Sequence, residues 1–344
     1  MKLVVATDSF KGCLTASEVT SVVAEVFRTR HPDWEVVEFP LADGGDGTLD
    51  VLLPALQGES RQACVHDPLG RPVSARWGLV GEAAVIEVAE ACGLKYVAPA
   101  ERDPLKATTY GVGELLLAAR EAGARHFLIG LGGTATCDGG QGMLEVPGLV
   151  EAMKDCTVEL LCDVDNPFLG PDGAAYVFGP QKGASEVDLL FLEQRMTAWA
   201  KTILEQTGVD VRLLPAAGAA GGLGGALMAY FGGVRVSGID RIMGLLSFDQ
   251  AIEGAGLIVT GEGKSDLQTL SGKVAQGVLL HAHNIPVLLV AGRLEYRKEL
   301  LDAGFCALVQ VSPEEMSLGE AMKPEVARKN LAAAIAEWDS CYRG

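Results

Sequence analysis

The stretch LVVATDSFKGCLTASEVTSVVAEVF (3–27) decides how this chain is read. Its first five residues are apolar or β-branched and uncharged, the composition of a strand buried on both faces. DSFKG (8–12) breaks the run and predicts a loop. Thr15 and Glu18 then form the T-x-x-E pattern of a capping box. Val19, Val22, Val23, Val26 and Phe27 recur at helical spacing and give one apolar face. Strand, loop and helix in this order make the first half of a βαβ unit, which belongs to a parallel sheet.

The same rhythm returns at both ends of the chain. EVVEFPL (35–41) reads as the next strand and runs into ADGGDGT (42–48). Later come GLIVTG (256–261), a helix near 273–283, PVLLVAG (286–292), a helix near 295–303 and ALVQVS (307–312). The middle is less regular. Residues 65–94 carry hairpin-like turn signals, GVGELLLAAREAG (111–123) reads as a helix stopped by Gly123, and HFLIGL (126–131) and TVELLCDVD (157–165) read as strands. A long helix is expected near 186–207. The fold class is α/β in two domains. A discontinuous Rossmann-like parallel-sheet domain takes 1–64 plus 235–344, and 65–234 form an inserted second α/β domain. Ligands of such sheets bind at the carboxyl ends of the strands.

Those strand ends carry a repeated chemistry. Asp sits in five loop segments, DSFKG, ADGGDGT, GLGGTATCDGGQG (130–142), CDVDNP (162–167) and GEGKSD (261–266), all but CDVDNP with glycine. Glycine lets backbone N–H groups approach a ligand, and the resulting nests bind anions, phosphate above all. Carboxylates beside phosphate need a cation between them, and Mg²⁺ takes one or two carboxylates plus phosphate oxygens. The pattern predicts metal-assisted phosphoryl transfer; taken singly, each loop could also be a tight turn whose Asp caps a helix.

Composition narrows the field. The 344 residues include 43 Gly and carry a formal charge of −17, which argues against nucleic acid or an anionic membrane as partner. An anionic substrate must be held by local Lys, helix N-termini and metal. Eight Cys lie scattered without a C-x-x-C pair, as expected of reduced thiols in the cytoplasm. Five His, none in the Gly-rich loops, leave little room for Ser-His-Asp or His-ligated zinc chemistry. No targeting segment is visible, since Asp8 interrupts the opening apolar run. PAAGAAGGLGGALMAYFGGV (215–234) is uncharged over twenty positions, but its seven Gly predict a glycine loop opening into a buried helix, not a membrane span. The common nucleotide motifs are missing: Ile258 stands where a P-loop ending in Gly263-Lys264-Ser265 needs its first Gly, and no G-x-G-x-x-G occurs.

The chain resembles the glycerate kinase family of bacterial glycerate 2-kinase type. DSFKG, ADGGDGT, DPLGRPV (67–73), TTYGVGEL (108–115), GLGGTATCDGG (130–140), CDVDNP, FGPQKGA (178–184), GAAGGLGGAL (218–227) and GEGKSD followed by Gly272-Lys273 carry the resemblance, in the family's order and over nearly the whole chain. It implies ATP-dependent phosphorylation of D-glycerate in a cleft between two α/β domains, with Mg²⁺, and favours 2-phosphoglycerate as product. A homodimer is compatible with it. There are departures: Asp46 stands where Glu is usual, Cys137 where Asn is, and the segment 139–166 is shorter than in relatives, as if a peripheral hairpin or helix were lost.

Roles follow residue by residue. Lys11 is placed to grip the glycerate carboxylate or a phosphate, with Ser9 beside it. Asp43 or Asp46, flanking Gly44 and Gly45, would orient the substrate hydroxyl as base or bind metal, and Asp163 joins the catalytic candidates. Gly132, Gly133 and Thr134 offer donors to phosphate, while Lys182, Lys273 and Glu262 are further substrate- and phosphate-binding candidates. Asp138, Asp165 and Asp266 are the metal-ligand candidates. Two other readings stay open. One is a phosphatase of the haloacid dehalogenase type, whose D-x-D motif LLCDVDN (160–166) imitates, although Pro167 replaces the expected Thr or Val. The other is a non-catalytic relative that senses glycerate or ATP.

Overall fold

The computed structural model describes residues 1–270 and 272–341. The fold is mixed α/β. Strands in chain order are β1 (Lys2–Thr7), β2 (Glu35–Glu38), β3 (Glu59–His66), β4 (Pro72–Val80), β5 (Ala83–Glu87), β6 (His126–Gly130), β7 (Thr157–Leu161), β8 (Val234–Val236), β9 (Ala255–Ser265), β10 (Val287–Leu294) and β11 (Ala307–Gln310). They fall into two compact units, Met1–Asp43 with Ile239–Gly344, and Gly44–Gly238.

In the first unit five strands run in the order β11-β10-β9-β1-β2, every neighbouring pair parallel. The helix Ala16–Arg30 follows β1, capped by the reciprocal Thr15–Glu18 hydrogen bonds. Its Val19, Val23 and Phe27 join Leu3, Val5, Leu257, Val259, Leu288 and Val290 of the sheet and Leu331 and Ile335 of the C-terminal helix Pro324–Cys341 in one fully buried cluster. Each such side chain contributes roughly 1.5–3 kcal/mol by leaving water. β2 is shorter than EVVEFPL suggests. Phe39 and Leu41 still donate to Val5 and Thr7 of β1, but Pro40 sits on the sheet edge, where a missing N–H costs no ladder bond. β9 is longer than expected. GEGKS is strand rather than loop, because β10 extends alongside it and pairs Arg293 with Lys264 and Leu294 with Ser265.

The second unit holds a six-stranded mixed sheet in the order β3-β4-β5-β6-β7-β8. β3-β4-β5 is an antiparallel meander, matching the hairpin signals, and β5 to β8 are parallel. Residues 44–64, assigned from the sequence to the discontinuous domain, belong here. The helix Thr48–Ala55 packs on β4 and β5, and β3 pairs with β4 from Glu59 onward. The helix Tyr110–Glu121 needs its glycines for contact: a Cβ on Gly111 would come within 1.8 Å of the His66 carbonyl oxygen. The uncharged segment 215–234 forms a 3₁₀ turn at Ala219–Gly222 and the helix Leu223–Phe231, with Leu223, Ala226 and Leu227 buried. Among the described residues no helix is long and apolar enough to cross a membrane.

Candidate functional site

In the first unit the parallel register carries acids to one end of the sheet. Thr7 of β1 pairs with Gly261 of β9, so Asp8 and Glu262 stand one residue further along neighbouring strands. The Asp8 N–H donates to the Gly261 carbonyl (2.9 Å), and the Leu41 N–H to that of Thr7, which brings the chain to Asp43 at the same edge. Asp8 keeps some exposed surface but is closely surrounded. Burial, then the repelling carboxylates of Asp43 and Glu262, push its carboxyl up to about 8 against the opposing hydrogen bond from the Ser9 N–H (2.6 Å).

Glu262 is buried and well partnered. It accepts from the Ser265 and Thr269 hydroxyls (2.9 and 2.6 Å) and pairs with Lys273 at 3.6 Å. Burial raises its carboxyl, and those partners work against the shift. Lys273 is the residue preceding the helix Val274–His281. Lys11 is exposed on the tight turn closed by the Phe10 and Leu14 backbone bonds, and its backbone lies against Gly263, where a Cβ would come within 3.3 Å of the Lys11 nitrogen. Asp8, Ser9, Lys11, Asp43, Glu262 and Lys273 are thus gathered by one sheet. Asp266 is spent locally, accepting from Gln268 N–H and pairing with Lys264 at 3.5 Å.

The second unit packs two Gly-rich loops against each other. A Cβ on Gly44 would meet that of Leu161 at 2.6 Å, one on Gly130 the Gly44 carbonyl at 1.9 Å, and one on Gly133 the Asp46 carboxylate at 2.9 Å. Gly132 lies likewise over Gly45. These glycines permit close contact with the backbone and side chains of the facing segments. Glu87, at the end of β5, accepts from the Leu49 N–H (2.7 Å) and the Gly47 N–H, and so pins the start of the helix Thr48–Ala55. Burial, with Glu90 and Asp46 nearby, pushes Glu87 up to about 7.

This shift predicts a pH effect. The folded state holds the Glu87 proton up to about 7, whereas the unfolded chain releases it near 4.5. The resulting stabilisation is complete below about 4.5 and lost as pH rises through about 7. In Glu87→Gln the decline of melting temperature across this window should be shallower than in the parent. An identical slope would show that another group is responsible.

The other predicted residues are engaged elsewhere. Asp138 accepts from Thr109 N–H and hydroxyl (both 2.8 Å) and from the Gly140 and Gly142 N–H groups (both 3.1 Å). Four donors make it a loop-fixing carboxylate. Asp163 accepts from the Gly238 N–H (3.1 Å), and Asp165 is exposed and paired with Arg235 (3.0 Å). Lys182 is buried and donates to Thr134 and to the Thr136 carbonyl. Asp138 and Asp165 of the second unit and Asp266 of the first thus each have partners of their own. Among the described residues, no three His, Cys, Asp or Glu side chains are grouped to hold an ion. Mg²⁺ in phosphoryl transfer needs only one or two protein carboxylates. Asp8 and Asp43, which repel each other, fit that requirement. Asp8 and Glu87 escaped the sequence reading. Asp8 had a signal, as the residue ending an apolar strand before a Lys loop; Glu87 showed only as a lone acid inside VIEV.

A parallel-sheet α/β protein with acids and lysines at its strand ends has the equipment of a phosphotransferase. The glycerate kinase family model matches residues 3–150 and 144–340. The break lies in the segment that looked shortened. Glycerate 2-kinase of Escherichia coli K12 is 39% identical over 98% of both chains, and glycerate kinase of Bacillus subtilis 168 is 36% identical over 97% of this chain and 98% of its own. The E. coli comparison runs over 378 positions although this chain has 344 residues, so the relative carries residues missing here. The crystal structure of a Salmonella typhimurium LT2 protein assigned as glycerate kinase 2 superposes with a TM-score of 0.84, at 37% identity over 99% of this chain and 98% of that one. The chain belongs to the glycerate kinase family.

Proposed function

We propose that this chain phosphorylates D-glycerate from ATP at the 2-hydroxyl, giving 2-phosphoglycerate and ADP, with Mg²⁺ as the working cation, in the cytoplasm. The observation that carries the reading is the convergence of Asp8, Asp43 and Glu262 with Ser9, Lys11 and Lys273 at the end of one parallel sheet, in a chain whose named relatives are glycerate kinases. In the transfer, the substrate hydroxyl oxygen bonds to the γ-phosphorus, the bond from phosphorus to the β,γ-bridging oxygen breaks, and ADP leaves with the electron pair. The hydroxyl proton passes to a carboxylate, for which Asp43 or Asp46 is the candidate. Asp8 and Asp43 would hold Mg²⁺, which supplies charge neutralisation on the phosphate oxygens. Glu262 keeps Lys273 in place and offsets its charge until a phosphate takes over.

The exposed ammonium of Lys11 fits the glycerate carboxylate. Lys11→Ala should raise the glycerate KM or lower kcat by about tenfold or more, the scale of a charge-assisted contact in a site, with no change in melting temperature. Kinetics equal to the parent would assign Lys11 to the solvated surface.

The reading is tested with purified protein, ATP, Mg²⁺ and D-glycerate, following ADP release and identifying the ester by ³¹P NMR. A phosphatase would instead release phosphate from a phosphoester without ATP, and a sensor would turn over nothing. A 3-phosphoglycerate product would overturn the choice of hydroxyl alone.

A further inference from the structure

Lys182 is 2% exposed, on the short turn Pro180–Lys182. Its Nζ donates to Thr134 Oγ1 (2.9 Å) and to the Thr136 carbonyl (2.6 Å), and lies 5.9 Å from the centroid of the Phe178 ring. Among the described residues no carboxylate comes within ion-pairing distance of it. The acid of the same loop, Asp138, is already occupied by four donors. Burying an ammonium without a paired anion is costly, and an apolar side chain of the same length would fill the space without that cost.

The proton inventory gives the buried charge a purpose. An ammonium has three donors and no acceptor, so Thr134 Oγ1 must accept at this contact. The single hydroxyl proton of Thr134 is then directed away from Lys182, and no acceptor for it exists among the described residues. Thr136, fully buried in the same loop, has its hydroxyl beside the Cys92 thiol. Thr134 therefore has a hydroxyl proton to offer, which suits an anionic ligand. A hydroxyl that accepts from a cation is also a stronger donor, because hydrogen bonds in a chain polarise one another.

We propose that Lys182 is a positioning residue. Enclosed beneath the loop, it orients and strengthens the Thr134 hydroxyl as a donor to an anionic oxygen of a bound substrate, a nucleotide phosphate or the glycerate carboxylate. The inference rests on the kinase reading above and replaces a direct phosphate grip by Lys182.

The test is a double-mutant cycle in the full chain with Lys182→Met, Thr134→Val and both together, plus Thr134→Ser. Titration calorimetry with ADP and with glycerate separates the two sources of the anion, and steady-state kinetics with ATP and glycerate give kcat and each KM. Lys182→Met and Thr134→Val should each weaken the same one ligand by about tenfold. The double variant should be no worse than the poorer single one, and Thr134→Ser should recover most of the loss. Multiplying losses would mean that Lys182 acts independently of Thr134 and overturns the proposal. So would a lowered melting temperature with unchanged affinities and kinetics. If Lys182→Met does not fold, Thr134 decides: equal affinities of the Val and Ser variants for both ligands also overturn it. Parent protein that binds ADP or glycerate without turnover would defeat the kinase reading, and the binding cycle would still judge Lys182.

Discussion

Asp8→Asn is expected to lose activity by about 100-fold or more while the protein becomes no less stable. The two effects have one cause. Asp8 is a carboxyl enclosed by protein and facing Asp43 and Glu262, and its raised proton affinity shows that the folded chain resists its charge. Asn keeps the oxygen that accepts from the Ser9 N–H and removes the repulsion. An unliganded variant should therefore melt at the same temperature as the parent or higher, as when stability is given up for function at a working site. What Asn cannot do is contribute negative charge toward a cation and phosphate. Full kinetics in this variant would remove Asp8 from the site; a large drop in melting temperature would make it a structural carboxyl.

Removal of divalent cations should abolish turnover, and Mg²⁺ should restore it. The acids at the end of the first unit's sheet would repel the ATP phosphates without an intervening cation, and in phosphoryl transfer neutralisation of those oxygens supplies much of the catalysis. The stability readout is separate: Mg²⁺ with ADP should raise the melting temperature of the parent more than that of Asp8→Asn, since a ligand stabilises in proportion to its affinity for the folded chain. Undiminished turnover in excess EDTA would sink both the cation and the assignment of Asp8 and Asp43 to it.

Much of the fold was legible because its signals are local. Apolar runs bounded by Gly and Asp gave β1, β6, β7 and β10, Thr15 and Glu18 marked the start of their helix, and the helix Glu186–Thr207 follows its periodicity. Errors arose where a neighbour decided. GEGKS became strand because β10 lies beside it, and residues 44–64 joined the second unit because β3 found its partner in β4.

The site divided in the same way. From the sequence came the loops, the abundance of Asp and Lys, the family and the phosphoryl chemistry, since those depend on residue types and order. How each carboxylate is surrounded was decided by the tertiary structure. Asp138 and Asp8 look alike in sequence, each an Asp in a loop segment that also holds glycine. Folding surrounds Asp138 with four donors that consume its charge, and sets Asp8 beside Asp43 and Glu262, where charge accumulates. A carboxylate's function is set by its surroundings within a few ångströms, and here the deciding neighbours, Thr109 for Asp138 and Asp43 and Glu262 for Asp8, come from segments distant in the chain.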